Sequence, residues 1–136
     1  MVGHRRQDWP LRLNAWLDSV RARSFAWAVH DCVLGAADAV LMMTGTDPAA
    51  AFRGRYTSKV SAARIIVEHG GLEAMVTAAL GDPLPTPKLA RRGDVVLVDS
   101  PEGQAIAVVL GASAAGPGPD GAVFVPMEGW KAAWRV

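Results

Sequence analysis

Apolar side chains recur every three to four positions along residues 8–81, which is the spacing of helices with one buried face. The pattern predicts four helices: one opening at Asp8, one from Asp31 or Cys32 to about Met43, one from about Ser58 to Glu68, and one from about Leu72 to Leu80. The Asp8 carboxylate is expected to cap the free amides of the first helix. Gly45 is expected to end the second helix in a left-handed conformation.

The pattern changes after Gly81, where Gly and Pro separate short runs of β-type residues. Residues 94–98 and 104–110 are expected to form antiparallel strands joined by a turn at 100–103. Gly111 to Gly121 is predicted to be a flexible loop, because Gly, Ala, Ser and Pro dominate it. Further strands are expected over 122–126 and 130–136. Helices over about 8–81 followed by a small antiparallel sheet over about 93–136 predict an α+β fold.

The composition indicates one folded domain over residues 1–136. Hydrophobic residues make up 51% of the chain and include five tryptophans, which excludes disorder of the low-hydrophobicity type. No apolar run approaches the ~20 residues that cross a bilayer, so no membrane span is expected. The first 23 residues also lack the apolar core of a secretory signal.

The net charge argues against a dedicated nucleic-acid binder, because 14 basic side chains are nearly balanced by 13 acidic ones. The cations are partly clustered, with one run formed by Arg53, Arg55, Lys59 and Arg64. We interpret this run as a solvated surface, with a phosphate-contacting patch as the alternative. Nucleic acid is therefore not expected as a partner.

The single cysteine, Cys32, is the first candidate for chemistry. It has no second cysteine for a disulfide and no partner set for a metal, and we expect neither a metal nor a cofactor. The positive end of a helix would favour its thiolate, which is the nucleophilic form. The alternative interpretation is that Cys32 is a small residue of the core.

A cysteine nucleophile also needs a base within hydrogen-bond reach. His30 is a candidate base, although residues two apart on a helix do not face each other. The alternative is that His30 is a polar residue of the loop entering the helix. His69 is expected to interact with the carbonyl end of the third helix.

Three segments together carry a resemblance to a known family. They are His30-Asp31-Cys32 at the start of a helix, Ala90-Arg-Arg-Gly93-Asp94-Val95-Val96 at the start of a strand, and Ala105-Ile-Ala-Val-Val-Leu-Gly111. With these segments, the chain resembles the papain-like cysteine peptidases of the NlpC type over about residues 8–136. It resembles more closely a family of short proteins encoded in the tail-gene clusters of tailed bacteriophages and prophages.

The resemblance implies a papain-like fold with Cys32 at the nucleophile position and with Asp31, Gly93 and Asp94 as structural residues. It also shows a departure, because the second strand of the peptidases opens with the catalytic histidine and this chain has Ala105 there. Loss of the base lowers the rate of such an enzyme by orders of magnitude. We therefore expect an inactive homologue rather than a working hydrolase.

The function that the resemblance implies is structural. We expect an assembly component of a bacteriophage tail, near its tip, that is made in the cytoplasm of the bacterial host and carried in the virion. Its partners would be other tail proteins, such as distal-tail, hub or tape-measure proteins, with peptidoglycan as a further ligand. Two alternatives remain open: a peptidoglycan-cleaving cysteine endopeptidase that acts in cell-wall penetration, and a protein that binds wall peptides without cutting them.

Overall fold

The computed structural model describes residues 3–136 and has the α+β architecture that the sequence predicts. Four helices precede a five-stranded antiparallel sheet. The helices are α1 (Trp9–Arg21), α2 (Cys32–Thr44), α3 (Lys59–Glu68) and α4 (Leu72–Leu80). The strands are β1 (Val95–Ser100), β2 (Gly103–Val109), β3 (Ser113–Gly118), β4 (Gly121–Pro126) and β5 (Trp130–Trp134). No helix among residues 3–136 has the length and apolar character needed to cross a membrane.

The ends of α2 follow the sequence signals. Asp31 is the N-cap, and its carboxylate accepts a hydrogen bond from the Leu34 amide at 2.9 Å. Gly45 ends the helix with a φ of +82°, in the left-handed region that favours glycine. The expected bounds of α2 are therefore confirmed.

The expectation that Asp8 caps α1 with its side chain is wrong. The Asp8 carboxylate accepts a hydrogen bond from Arg12 Nε at 2.8 Å, and no side-chain hydrogen bond caps the helix. The proline at position 10 supplies the physical reason, since it removes one of the amides that an N-cap side chain would normally bind. The backbone of Asp8 also has a φ of −92° and a ψ of 20°, outside the extended region of usual N-caps.

The sheet has the strand order β4-β3-β2-β1-β5. The hairpin between β1 and β2 is confirmed, with Ser100 paired to Gly103 at the turn. The prediction of a flexible loop over Gly111 to Gly121 is wrong, because Ser113–Gly118 forms β3 and pairs with β4. Gly, Ala and Pro have weak β propensity, so this strand carries little local signal. Pairing with β2 on one side and with β4 on the other makes this segment a strand.

Small residues allow β3 to lie close to α2. A Cβ atom added at Gly35 of α2 would lie 2.7 Å from Cγ and 2.9 Å from Cδ of Pro117 in β3. Both distances are shorter than real Cβ contacts, and the proline ring cannot move aside as a flexible side chain would. A glycine in the middle of α2 is therefore required by packing rather than by backbone conformation.

The sheet separates two apolar clusters, which we call the main core and the second core. The main core lies between the helices and the sheet and includes Leu13, Trp16, Val40, Leu97, Val108 and Trp134. The second core lies on the other face of the sheet and comprises Val96, Val98, Ala107, Val109, Ala114, Trp130 and Ala133. Successive residues of β1 and β2 alternate between the two cores, as the pleat of a strand requires.

We predict that Gly35→Ala destabilises the protein, although alanine is the better helix former by about 1 kcal/mol. The added methyl group overlaps the Pro117 ring, and overpacking of this kind costs about 1–3 kcal/mol. Urea unfolding of the single variant and of Gly35→Ala with Pro117→Ala tests this. The second substitution should recover most of the loss, and an equal loss in both variants would show that Pro117 is not the cause.

Candidate functional site at the start of helix α2

Cys32 is the first residue of α2, and its side chain packs against the main core. Burial raises the pKa of the thiol to about 11, against the effect of a backbone hydrogen bond with Ile106, and the negative charge of Asp31 raises it further. The positive end of the helix therefore does not activate this cysteine. At neutral pH the thiol is protonated, and a protonated thiol is a poor nucleophile.

The face of β2 next to Cys32 offers no base. Ile106 points to the main core, against which Cys32 also packs, whereas the neighbouring Ala105 packs against the second core. Position 105, which takes the place of the peptidase histidine in the resemblance, thus projects to the opposite face of the sheet from Cys32. Neither an isoleucine nor an alanine side chain can accept a proton.

The histidine proposed from the sequence as a base makes no hydrogen bond to the thiol. His30 is 2% exposed, and neither Nδ1 nor Nε2 has a hydrogen-bond partner among residues 3–136. Burial lowers the pKa of this imidazole, and the positive charge of Arg23 lowers it further. His30 is therefore a neutral, buried ring beside a pocket that α1 and α2 line.

His69 is occupied elsewhere. It follows α3, where its Nδ1 lies 2.8 Å from the carbonyl oxygen of Ile65, and its ring meets Phe52 edge-on with centroids 5.2 Å apart. The expected interaction with the carbonyl end of the helix is observed. Among residues 3–136, no histidine is hydrogen-bonded to Cys32.

Asp31 ties three parts of the site together and is 1% exposed. Besides the Leu34 amide, its carboxylate accepts hydrogen bonds from the Ala28 amide at 3.0 Å and from the Tyr56 hydroxyl. Ala28 has a φ of +67°, a conformation that is unusual for alanine and that the bond to Asp31 holds in place. Burial, followed by the bond to Asp31, raises the pKa of Tyr56 far above its ordinary value. Sequence reasoning missed Tyr56, although it is the only tyrosine of the chain.

Asp94 is fully buried and joins three segments of the chain, which lie before α1, at the start of β1 and after β5. We call this cluster the Asp94 junction. One carboxylate oxygen accepts hydrogen bonds from Arg5 Nη2 at 2.9 Å and from the Val136 amide at 3.0 Å. The other accepts a bond from the Arg91 amide at 2.8 Å and lies 3.1 Å from Arg135 Nε. Four donors therefore surround one buried carboxylate at the start of β1.

Gly93 makes room for this junction. Its φ is +93°, and a Cβ atom there would lie 2.7 Å from Nη1 of Arg5. The same guanidinium donates hydrogen bonds to the carbonyl oxygens of Arg92 at 2.7 Å and Val136 at 2.8 Å. Gly93 thus leaves space for the Arg5 side chain, and Asp94 binds its guanidinium. No hydrogen bond or ion pair connects this junction to Asp31 within the described chain.

The cationic run from residue 53 to residue 64 is partly neutralised. Arg53 pairs with Asp38 and with Asp47, both at 2.7 Å, and Lys59 lies 3.7 Å from Glu102. The hydrogen bond to Asp47 raises the pKa of Arg53. The run is therefore not a continuous surface of free cations of the kind that binds phosphate groups. Residues 3–136 also contain no cluster of three or more His, Cys, Asp or Glu side chains that could hold a metal ion.

We predict that Cys32 reacts slowly with a small alkylating reagent because its thiol is protonated. At pH 8 the rate should be at least about a hundredfold below that of a free cysteine, whose pKa is about 8.5. A pH series from 6 to 10 on the folded protein measures this, and unfolding in urea should restore the free rate. A rate that levels off below pH 8 would show an activated thiol.

We predict that Asp94→Asn lowers the free energy of unfolding by about 3 kcal/mol, because it leaves two guanidinium groups without their buried counter-charge. The matched control is Asp99→Asn, since Asp99 is exposed and lies 3.9 Å from Lys131. The control should change stability by less than about 1 kcal/mol. Denaturant unfolding of both variants measures the difference, and equal losses would contradict the role of Asp94.

Comparison with known proteins identifies a family without giving an activity. A family model described as "Domain of unknown function (DUF6950)" matches residues 4–136. No curated protein matches the chain. The family match covers nearly all of the chain, including both aspartate junctions and Cys32. The chain therefore belongs to the DUF6950 family.

Proposed function

We propose that this protein is a non-catalytic structural or assembly component of a bacteriophage tail, near the tail tip, with a degenerate papain-like fold of the NlpC type. It is made in the cytoplasm of the bacterial host and carried in the virion. The tail assignment rests on the resemblance of the segments around Cys32, Asp94 and Ala105 to short tail-cluster proteins. Its partners are neighbouring tail subunits of the distal-tail, hub or tape-measure class.

The proposal that the protein is not a catalyst rests on the protonated thiol of Cys32 and on the lack of a base bonded to it among the described residues. A cysteine peptidase needs a thiolate and an imidazole within hydrogen-bond reach. Here burial keeps the thiol protonated, and none of the histidines in the described chain is bonded to it. The two aspartates of the shared motifs are occupied by helix capping and ion pairing. These features favour a scaffold over the alternative of a peptidoglycan-cleaving endopeptidase.

A sheet edge without a neighbouring strand favours assembly. At one edge, the Leu84 amide occupies the Ala133 carbonyl of β5 at 2.7 Å. At the other edge, β4 pairs only with β3, and Val123 and Phe124 are 47% and 45% exposed, although the Arg21 guanidinium of α1 lies 5.7 Å from the Phe124 ring centroid. An uncharged, apolar edge strand is the usual template for pairing with another chain. We assign this edge to a neighbouring tail subunit.

We predict that substitutions at Cys32 and at the β4 edge have different effects in a phage or prophage that encodes the chain. Cys32→Ala should leave the protein in purified particles and leave the infective titre unchanged. Val123→Lys should reduce incorporation about tenfold or more, because a charge on an edge strand opposes pairing. Mass spectrometry of purified tails measures incorporation, and the titre measures function.

The matched control is Val67→Lys, which introduces the same side chain at a valine of α3 that is 75% exposed. It should be incorporated normally. Absence of the wild-type protein from particles would contradict the tail role. Cleavage of cross-linked wall peptides that Cys32→Ala abolishes would establish the endopeptidase, and binding of such peptides without cleavage would establish the third alternative.

A further inference from the structure

A pocket of about 170 Å³ lies between α1 and α2, and neither Cys32 nor its neighbours Asp31 and Ile106 line it. Its lining comprises Trp16, Ser19, Val20, Arg23, His30, Asp38, Leu41 and Met42. The volume exceeds the about 150 Å³ of a cavity that holds benzene. The pocket is therefore large enough for a small organic molecule.

His30 is the unusual member of this lining. Both ring nitrogens are buried and unpartnered among residues 3–136, whereas buried polar groups in proteins are nearly always hydrogen-bonded. A neutral imidazole offers one donor and one acceptor. The torsion between Cβ and the ring is broad and two-fold, so the packing around the ring, and not the torsion itself, opposes a rotation that turns a nitrogen toward the pocket. His30 thus has hydrogen-bonding capacity that no described protein group uses.

Two opposite charges line the same pocket. Arg23 is exposed and forms no ion pair or side-chain hydrogen bond within residues 3–136. Asp38 accepts a bond from Arg53 at its Oδ1, while its Oδ2 has no described partner. Both charges act on the imidazole, since Arg23 lowers the pKa of His30 and Asp38 raises it. The ring lies within electrostatic reach of a guanidinium and of a carboxylate.

Apart from Ser19, the remaining lining is apolar. Trp16 and Val20 come from α1, Leu41 and Met42 come from α2, and Leu41 is 37% exposed at the rim. Such a surface binds hydrocarbon, and methionine adapts to varied shapes. The pocket therefore combines one cation, one anion and an apolar wall around an unsatisfied imidazole.

We propose that this pocket binds a small zwitterion of the α-amino acid class. Arg23 binds the carboxylate, Asp38 Oδ2 binds the ammonium group, and His30 donates or accepts a hydrogen bond with the ligand once its ring turns. The aliphatic side chain of the ligand packs against Trp16 and Met42. This site is independent of the tail role, because it uses neither the β4 edge nor Cys32.

Calorimetric titration of the full chain with leucine tests the chemistry. Leucine should bind at least about tenfold more tightly than N-acetylleucine, which lacks the ammonium, and than leucinamide, which lacks the carboxylate, because each charge-assisted contact is worth about that factor. Equal binding of leucine and acetate would overturn the proposal in favour of a simple anion site. Absence of leucine binding at millimolar concentrations would overturn it outright.

Variants and a direct probe locate the site. Arg23→Ala should weaken leucine binding about tenfold while leaving leucinamide unchanged, whereas the control Arg64→Ala, at an exposed residue of α3, should change neither. The ring ¹⁵N resonances of His30 in the wild-type protein should shift on addition of leucine. This measurement needs no destabilising substitution. Binding without a shift of these resonances would place leucine elsewhere and contradict the proposal.

Discussion

The structure depends on one requirement of physical chemistry: a buried carboxylate must be matched by donors and counter-charge. Asp94 meets this requirement with two arginines and two backbone amides. Arg5 lies near one end of the described chain, and Arg135 and the Val136 amide lie at the other. The fourth donor, the Arg91 amide, lies three residues before Asp94. The segment before α1, the start of β1 and the segment after β5 are therefore held at one point. Because β1 lies between β2 and β5, this point also fixes the β5 side of the sheet relative to the segment that leads into α1.

The buried carboxylate of Asp31 is likewise matched by hydrogen-bond donors, at the start of α2. Its carboxylate joins the loop before α2, the first turn of that helix and Tyr56. The aspartates of the Asp-Cys and Gly-Asp pairs are thus both engaged in bonds that hold the fold together. That observation explains how Asp-Cys and Gly-Asp pairs are compatible with a cysteine whose thiol stays protonated.

Local signals predicted most of the fold. The 3.6-residue period and the glycines placed α2, α3 and α4 to within about one residue, and the turn at 100–103 placed the first hairpin. β3 escaped prediction because pairing with its neighbours, rather than its own side chains, makes it a strand. The site was less predictable, since the pKa of Cys32 depends on burial, and the partnership of Tyr56 with Asp31 spans 25 residues. Such long-range contacts leave no periodic trace in a sequence.

The two edges of the sheet have a consequence for how copies of this chain can associate. Fibres grow when a molecule offers two open edges, since each added copy then presents a new edge to the next. Here the two edges differ, because the Leu84 amide already occupies the Ala133 carbonyl on the β5 side, whereas no strand of the described chain lies beyond β4. A second copy that paired with β4 would therefore not leave the same free edge for a third. Such an asymmetry favours a closed pair of copies over a growing fibre.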